Sequence, residues 1–159
     1  LFLVHQNVDK AIDLLGRIKS GTSATPVVLK FYIDLLLNRG LASDLKEAEQ
    51  HTRNSLASGS HWMFQERLAL ILARQGRGSE ALLLIDALAP TGILGEALSE
   101  AAARALVAVG ERSAALDLYE QFAKQHPRDC RTEELRSLLG IVEQVNDVPC
   151  HRAAIQFSR

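Results

Sequence analysis

Residues 68–88 read LALILARQGRGSEALLLIDAL, and residues 102–122 read AARALVAVGERSAALDLYEQF. The second stretch repeats the first at an offset of 34 residues, so that Gly110 stands at the position of Gly76, and Ala115 at the position of Ala81. Self-similarity at a fixed period of roughly 20–50 residues is typical of solenoids and other repeat architectures. The repeated unit therefore predicts the fold of the chain.

Each copy predicts two helices joined by a short turn, which is residues 76–79 in the first copy. Gly76 and Gly110 are expected to end the first helices, because glycine adopts the left-handed conformation that closes a helix. Ser79 and Ser113 are the predicted N-caps of the second helices. Apolar residues recur at spacings of three and four along each second helix, which indicates one buried stripe per helix.

The pattern continues in more divergent form on both sides of these two copies. Residues 8–19 are predicted to be the second helix of a partial pair, and residues 39–43 a longer turn. The helical repeat domain is expected to cover residues 1–145. Its further parts are complete pairs at about 25–58, 60–90 and 94–127, another first helix at 131–145, and a tail or short final helix at 146–159.

These positions resemble the tetratricopeptide repeat, which has the pattern W-x2-L-G-x2-Y, then A-x3-F, then P. Ala81-x3-Ile85 and Ala115-x3-Tyr119 occupy the small-to-large half of that pattern, and Pro127 falls at the position of the family's proline. Most of the aromatic positions of the pattern carry other residues. The resemblance implies an all-α fold, in which antiparallel helix pairs build a right-handed α-α superhelix.

The resemblance also implies a function, because first helices line the groove in which this family binds its partners. The chain is accordingly expected to be a non-catalytic scaffold or adaptor that holds a peptide or helix of a partner protein in a concave groove. Arginines in that groove suit an acidic peptide, since guanidinium groups pair bidentately with carboxylates. The alternative is that they are solvated or paired with neighbouring acidic residues. The implied groove residues are Lys30, Asp34, Asn38, Met63, Glu66, Arg67, Leu70, Arg74, Ala97, Glu100 and Arg104.

The composition argues against two classes of partner. The 159 residues include 18 basic and 19 acidic side chains, and the formal charge of −1 offers no excess of cations for a phosphate backbone. Nucleic acid is therefore not an expected partner. The longest apolar run, residues 82–88, is interrupted by Asp86 and is far shorter than the roughly 18 residues that span a bilayer. Membrane insertion is not expected either.

The sequence contains no motif that predicts catalysis or cofactor binding. It has no G-x-S-x-G, no phosphate-binding glycine loop and no H-E-x-x-H, so the prediction is a protein that is not an enzyme and needs no cofactor. His126, Cys130, Cys150 and His151 have the chemistry of zinc ligands. Their spacing differs from that of short zinc motifs, and no metal site is predicted.

Several aromatic residues are expected to lie in the core. Trp62, Met63 and Phe64 open a predicted first helix, where they would anchor one repeat against the next. Phe31 and Tyr32 are expected to be buried in the same way. Large aromatic side chains dominate core energetics, which favours this interpretation over a ligand platform.

Two other hypotheses stay open. An unpaired end helix, over residues 9–18 or 132–145, could stack on a second copy, which would make the chain an oligomerisation module and the protein a homo-oligomer. The chain could equally be the recruiting arm of a larger enzyme, or of a secretion or assembly protein. The first residue is Leu rather than Met, and residues 1–4 lack the features of a signal peptide, so we expect a part of a longer protein. Neither cysteine belongs to a CxxC, which favours the cytoplasm, with the periplasm as the alternative.

Overall fold

The structure, a computed structural model, describes residues 2–21, 25–59, 62–88, 96–125 and 130–140. Over these ranges the chain forms eight helices and no strand, which confirms the all-α prediction. The helices are α1 Phe2–Gly21, α2 Pro26–Arg39, α3 Ala42–Ala57, α4 Trp62–Arg74, α5 Gly78–Leu88, α6 Glu96–Val109, α7 Arg112–Gln125 and α8 Cys130–Leu139.

The helices pack in two different ways. Each helix contacts the next one in the chain, and the links at 40–41, 75–77 and 110–111 are so short that the helices they join are antiparallel. The even-numbered helices also contact one another in the order α2, α4, α6, α8. In the described part of the chain, α3, α5 and α7 make no such contacts with one another. The even-numbered helices therefore form a close row and the odd-numbered ones a more open row.

Two hydrophobic clusters make up the core. The larger one runs from α1 to α6, and the smaller one joins α6, α7 and α8. The small residues Ala81 and Ala115 are fully buried, which lets the second helix of each pair lie close to its neighbours. Of the other stripe residues that the repeat predicts to be buried, Ile85, Leu88, Tyr119 and Phe122 are confirmed. Leu84 and Leu118 are only partly buried.

The glycine ends of α4 and α6 are confirmed. Gly76 has a φ of 77° and Gly110 a φ of 90°, both in the left-handed region. At each site the amide of the glycine donates to a carbonyl three residues earlier, at 3.1 Å, and the next amide donates to one five residues earlier, at 2.9 Å. This double bonding is the Schellman motif, which satisfies carbonyls that the helix end leaves without partners. It explains how so short a link reverses the chain.

The predicted N-caps of α5 and α7 are wrong. The carbonyl of Arg77 already accepts the first helical hydrogen bond of α5, and the carbonyl of Glu111 does so in α7, both at 3.1 Å. Ser79 and Ser113 consequently lie inside the helices. The Schellman motif has turned the chain by this point, so the next helix starts without further loop residues.

Gly78 belongs to the first turn of α5 and not to the turn that precedes it. A Cβ atom at this position would lie 2.6 Å from the carbonyl oxygen of Ala105 and 2.9 Å from the Cβ of Ala108. Real Cβ atoms do not approach a backbone oxygen so closely. The missing side chain therefore allows α5 to pack against α6, a role that the sequence alone does not indicate.

Other helix bounds differ from the sequence prediction. α1 begins at Phe2, before the predicted start at residue 8. The link between α2 and α3 is only residues 40–41, because the amide of Leu41 donates to the Asp44 carboxylate at 3.2 Å and so starts α3 early. α8 ends at Leu139 instead of reaching residue 145. Residues 141–145 and the predicted tail lie outside the described residues.

The predicted burial of the aromatic residues is confirmed at two positions and wrong at two. Phe64 is fully buried and Tyr32 nearly so. Phe31 is 41% exposed and Trp62 is 44% exposed. Trp62 is the first residue of α4 and Phe31 lies in the first half of α2, where neighbouring helices do not cover them. Helical periodicity placed these two residues incorrectly because it does not say how far a neighbouring helix extends.

Candidate functional site

The predicted groove residues gather on one surface, formed by α2, α4 and α6, which we call the α2–α4–α6 face. It holds two adjoining depressions with volumes of about 300 and 280 Å³, and Leu37, Asn38 and Arg74 line both. The predicted residues that line at least one of them are Asp34, Asn38, Arg67, Leu70, Arg74, Glu100 and Arg104. Lys30, Met63 and Glu66 do not line either depression, although Lys30 pairs with Asp34 and Glu66 with Arg67. The side chain of Ala97 is outside the described part of the chain.

Helical periodicity explains why these residues come together. On α2, Asp34 and Asn38 are four residues apart, and on α4, Arg67, Leu70 and Arg74 follow one another at spacings of three and four. Residues at these spacings share a helix face. Because α2 and α4 contact each other, the two stripes lie side by side.

Asp34 is the centre of one group of ion pairs, which ties α2 to α4. Its carboxylate accepts from Lys30 Nζ at 2.7 Å and from Arg67 Nε at 3.1 Å. Arg67 Nη1 in turn donates to Glu66 Oε2 at 2.7 Å. The Glu66 side chain is buried, so this pairing supplies the hydrogen bonds that its carboxylate requires.

A second group of ion pairs joins α4 to α6 and to the end of α2. Glu100 is only 1% exposed, and its Oε1 accepts from Arg74 Nη2 at 2.7 Å and from Arg104 Nε at 2.8 Å. Arg74 Nη1 also donates to the carbonyl of Leu37 at 2.7 Å. That carbonyl belongs to the last turn of α2, where no helical partner is left for it. Arg74 therefore fixes three helices relative to one another.

Of the two interpretations of the arginines, the paired one describes their state in this structure. Arg67 is paired with Asp34 and Glu66, and Arg74 with Glu100. Such pairs hold the guanidinium groups in place at the edge of the depressions. A ligand would meet donors that are already oriented.

The sequence analysis did not identify Arg39 as part of this face, although it lines the larger depression with Arg74 and Arg104. Its guanidinium forms a fork with the Asp44 carboxylate, with both bonds at 2.8 Å, and a further bond of 2.8 Å to Asp9. These hydrogen bonds raise the pKa of Arg39 above its usual value, and the bonds from Arg39 hold the pKa of Asp44 below its usual value.

The partners of Arg39 come from α1 and α3, which the sequence does not place beside the end of α2. A basic residue in the last turn of a helix is a weak signal by itself, because it commonly serves only the helix dipole. No pattern in the sequence therefore marked Arg39 as part of the site.

A separate ion cluster lies where α3, α4 and α5 meet. Glu49 accepts from Arg77 at 2.8 Å, from Gln75 at 3.0 Å and from Arg53 at 2.9 Å. Burial acts to raise the pKa of Glu49, but the hydrogen bonds from Arg77, Gln75 and Arg53 outweigh it and lower that pKa. The cluster connects the glycine turn after α4 to α3 and is structural in character.

The sequence matches no family model and no curated protein. The relation to tetratricopeptide repeats thus remains a prediction based on the repeat positions in this chain. A function inferred from that relation is therefore a proposal.

The described residues contain no group of three or more His, Cys, Asp or Glu side chains placed to hold a metal ion. His126, Cys150 and His151 lie outside the described residues. None of the described helices is both long and apolar enough to cross a membrane.

Proposed function

We propose that this chain is a non-catalytic binding module, which holds a peptide or helix of a partner protein on the α2–α4–α6 face. The observation that carries the proposal is the convergence of the groove residues on two adjoining depressions. A concavity in which polar groups converge on a ligand-sized space is a reasonable starting hypothesis for a binding site. The module would serve as a scaffold or adaptor, or as the recruiting arm of a longer enzyme, secretion or assembly protein.

The packing of the helices supports a concave shape for this face. The even-numbered helices contact one another, whereas the odd-numbered helices of the described ranges do not. Two rows of rods with unequal spacing form a curved stack, with the closer row on the inside. We therefore propose a right-handed superhelix of the tetratricopeptide kind, in which α2, α4 and α6 line the inner surface.

The ion pairs give this surface the rigidity that binding requires. Arg67 and Arg74 each join two or more helices, so their guanidinium groups are held before a ligand arrives. Association costs less free energy when side chains are already ordered. An acidic partner is favoured because three guanidinium groups line the larger depression and no carboxylate does, among the residues described there.

The proposal is tested by blocking the face with a bulky residue. Asn38 is exposed and lines both depressions, so Asn38→Trp would fill them without disturbing the core. Asn54 is an exposed asparagine on α3, and Asn54→Trp is the matched control. Peptides selected for the parent chain from a random display library should lose affinity for Asn38→Trp and keep it for Asn54→Trp. Equal binding to the two variants, or no selected peptide at all, would overturn the proposal.

A second candidate function is self-association through the end helices. Leu14 on α1 and Leu138 on α8 are large apolar side chains that stay exposed. In a repeat array, an end that is not capped by polar residues is a surface for a further repeat. Sedimentation velocity over a range of concentrations tests this alternative, and a mass that stays monomeric throughout would exclude it. If the mass rises and Leu14→Glu abolishes the rise, the α1 end is the contact.

A further inference from the structure

We infer that the α2–α4–α6 face selects an extended peptide in which a bulky apolar residue lies about three positions from a carboxylate residue. The inference rests on the proposed function and specifies the chemistry of its ligand. It follows from a division of the face into an apolar end and a guanidinium end.

The apolar end lies at the start of α2. Val27 and Phe31 are 57% and 41% exposed, and with Asp34 and Asn38 they form one stripe at spacings of four, three and four residues. Four residues at these spacings fall within a narrow arc of the helix surface. The stripe that enters the depressions at Asp34 therefore begins with two uncovered apolar side chains.

α4 contributes to the same end. Asp34 pairs with Arg67, and the carbonyl of Leu37 pairs with Arg74, so α2 and α4 run in the same direction. Met63 precedes Arg67 by one helical turn and is only partly buried, with part of its side chain packed on the core. Lys30 lies next to this end, with its Nζ 5.2 Å from the centre of the Phe31 ring.

The guanidinium end lies at the end of α2. Arg39, Arg74 and Arg104 line the larger depression. Of the carboxylates that pair with them, Asp44 and Glu100 are each 1% exposed. Asp9, which pairs with Arg39, is 57% exposed but is not among the residues that line the depression. Arginine has five N–H groups. Within the described residues, Arg39 and Arg74 each make three hydrogen bonds, which leaves donors for a further carboxylate.

The distance between the two ends fixes the spacing in the ligand. Phe31 and Asn38 are seven residues apart on α2, which corresponds to about 10 Å at a rise of roughly 1.5 Å per residue. An extended peptide rises roughly 3.3 Å per residue, so about three residues cover this distance. A helical ligand would need about seven residues for the same distance.

The test is a set of fluorescently labelled peptides with neutral Gly-Ser flanks, in which one Phe and one Glu are separated by different numbers of residues. Fluorescence anisotropy with the parent chain should give the tightest binding at a separation of about three. Replacing the Phe by Ala, or the Glu by Gln, should weaken binding about tenfold in each case. Added salt should reduce the advantage of Glu over Gln in the peptide and leave the advantage of Phe over Ala unchanged.

A protein variant assigns the apolar preference to one side chain. In Phe31→Ser the advantage of Phe over Ala in the peptide should disappear, while the advantage of Glu over Gln remains. Leu83→Ser is the matched control, because Leu83 is an exposed apolar residue on α5, and it should leave both preferences unchanged.

The outcomes separate this inference from the proposed function. If peptides selected from the display library bind and Asn38→Trp blocks them, but the designed series shows no preferred separation, the inference is overturned and the proposed function stands. A preference that peaks at about seven residues would show a helical ligand and would likewise overturn it. If neither the library nor the series yields binding, both are overturned.

Discussion

Arg74 Nη2 lies 2.7 Å from Oε1 of Glu100, a carboxylate with 1% of its surface exposed. The two residues are 26 positions apart and belong to α4 and α6, so their pairing is a tertiary contact. A carboxylate that deeply buried is tolerated only when it is paired and hydrogen-bonded. The same guanidinium holds the last turn of α2 through Leu37, and the geometry of the α2–α4–α6 face therefore depends on this pair.

Arg74→Met should lower the free energy of unfolding by roughly 2–4 kcal/mol, because it removes one of two partners from the buried Glu100 carboxylate. Urea unfolding followed by circular dichroism measures this change. Arg53→Met is the control, since Arg53 forms an exposed pair with Glu49 four residues earlier on α3, and it should cost less than about 1 kcal/mol. Equal losses in the two variants would show that burial of Glu100 does not determine the cost.

Gly78→Ala should destabilise the protein by roughly 1–3 kcal/mol, although alanine is the better helix former. The added Cβ would meet the Ala105 carbonyl oxygen at 2.6 Å and force α5 away from α6. Gly16→Ala in α1 is the matched control, because its Cβ would only make an ordinary contact with Tyr32, at 3.9 Å from the hydroxyl oxygen. Gly16→Ala should therefore stabilise by up to about 1 kcal/mol, and thermal unfolding should shift in opposite directions for the two variants.

Asp44 should make the stability of the protein depend on pH in the acid range. Its folded pKa is lowered by the hydrogen bonds from Arg39, so its contribution is present above the unfolded pKa and is lost as the pH falls through the folded pKa. Asp44→Asn should be less stable than the parent at neutral pH, and the difference should shrink as the pH falls below about 4. Urea unfolding at a series of pH values measures this difference. Asp86→Asn, a change on the exposed side of α5, is the control. A stability difference of similar size and pH dependence in this variant would contradict the assignment of the effect to Asp44.

Tyr32 should ionise only in strongly alkaline solution. Burial, followed by the 2.6 Å hydrogen bond that its hydroxyl donates to Glu47, raises its pKa from 10.0 to about 12. Because the folded pKa is raised, this contribution to stability is complete below the unfolded pKa and is lost as the pH rises through about 12. The difference between the phenolate absorbance titrations of the parent and Tyr32→Phe isolates this group.

Glu47→Gln separates the two causes of the Tyr32 shift. Removing the carboxylate should bring the Tyr32 titration part of the way back towards 10.0, and the remaining shift should reflect burial, which is the larger cause. A titration midpoint near 10.0 in the parent would contradict the buried position of the hydroxyl.

The sequence by itself determined the features that depend on near neighbours in the chain. The offset of 34 residues, the positive-φ glycines at 76 and 110, and the buried stripes through Ala81 and Ala115 follow from helical periodicity and from the unique backbone freedom of glycine. The same periodicity brought the groove residues of each helix onto one side. These features are local, and they do not depend on which neighbouring helix a given helix packs against.

Only the tertiary structure decided how one helix faces another. It joined Arg74 to Glu100 and Arg39 to Asp9, made Gly78 a contact point between α5 and α6, and left Phe31 and Trp62 uncovered. Each of these depends on the distance and overlap between helices that are far apart in the chain. Hydrophobic patterning fixes which side of a helix is buried, but the packing of particular side chains fixes its depth and register against the next helix.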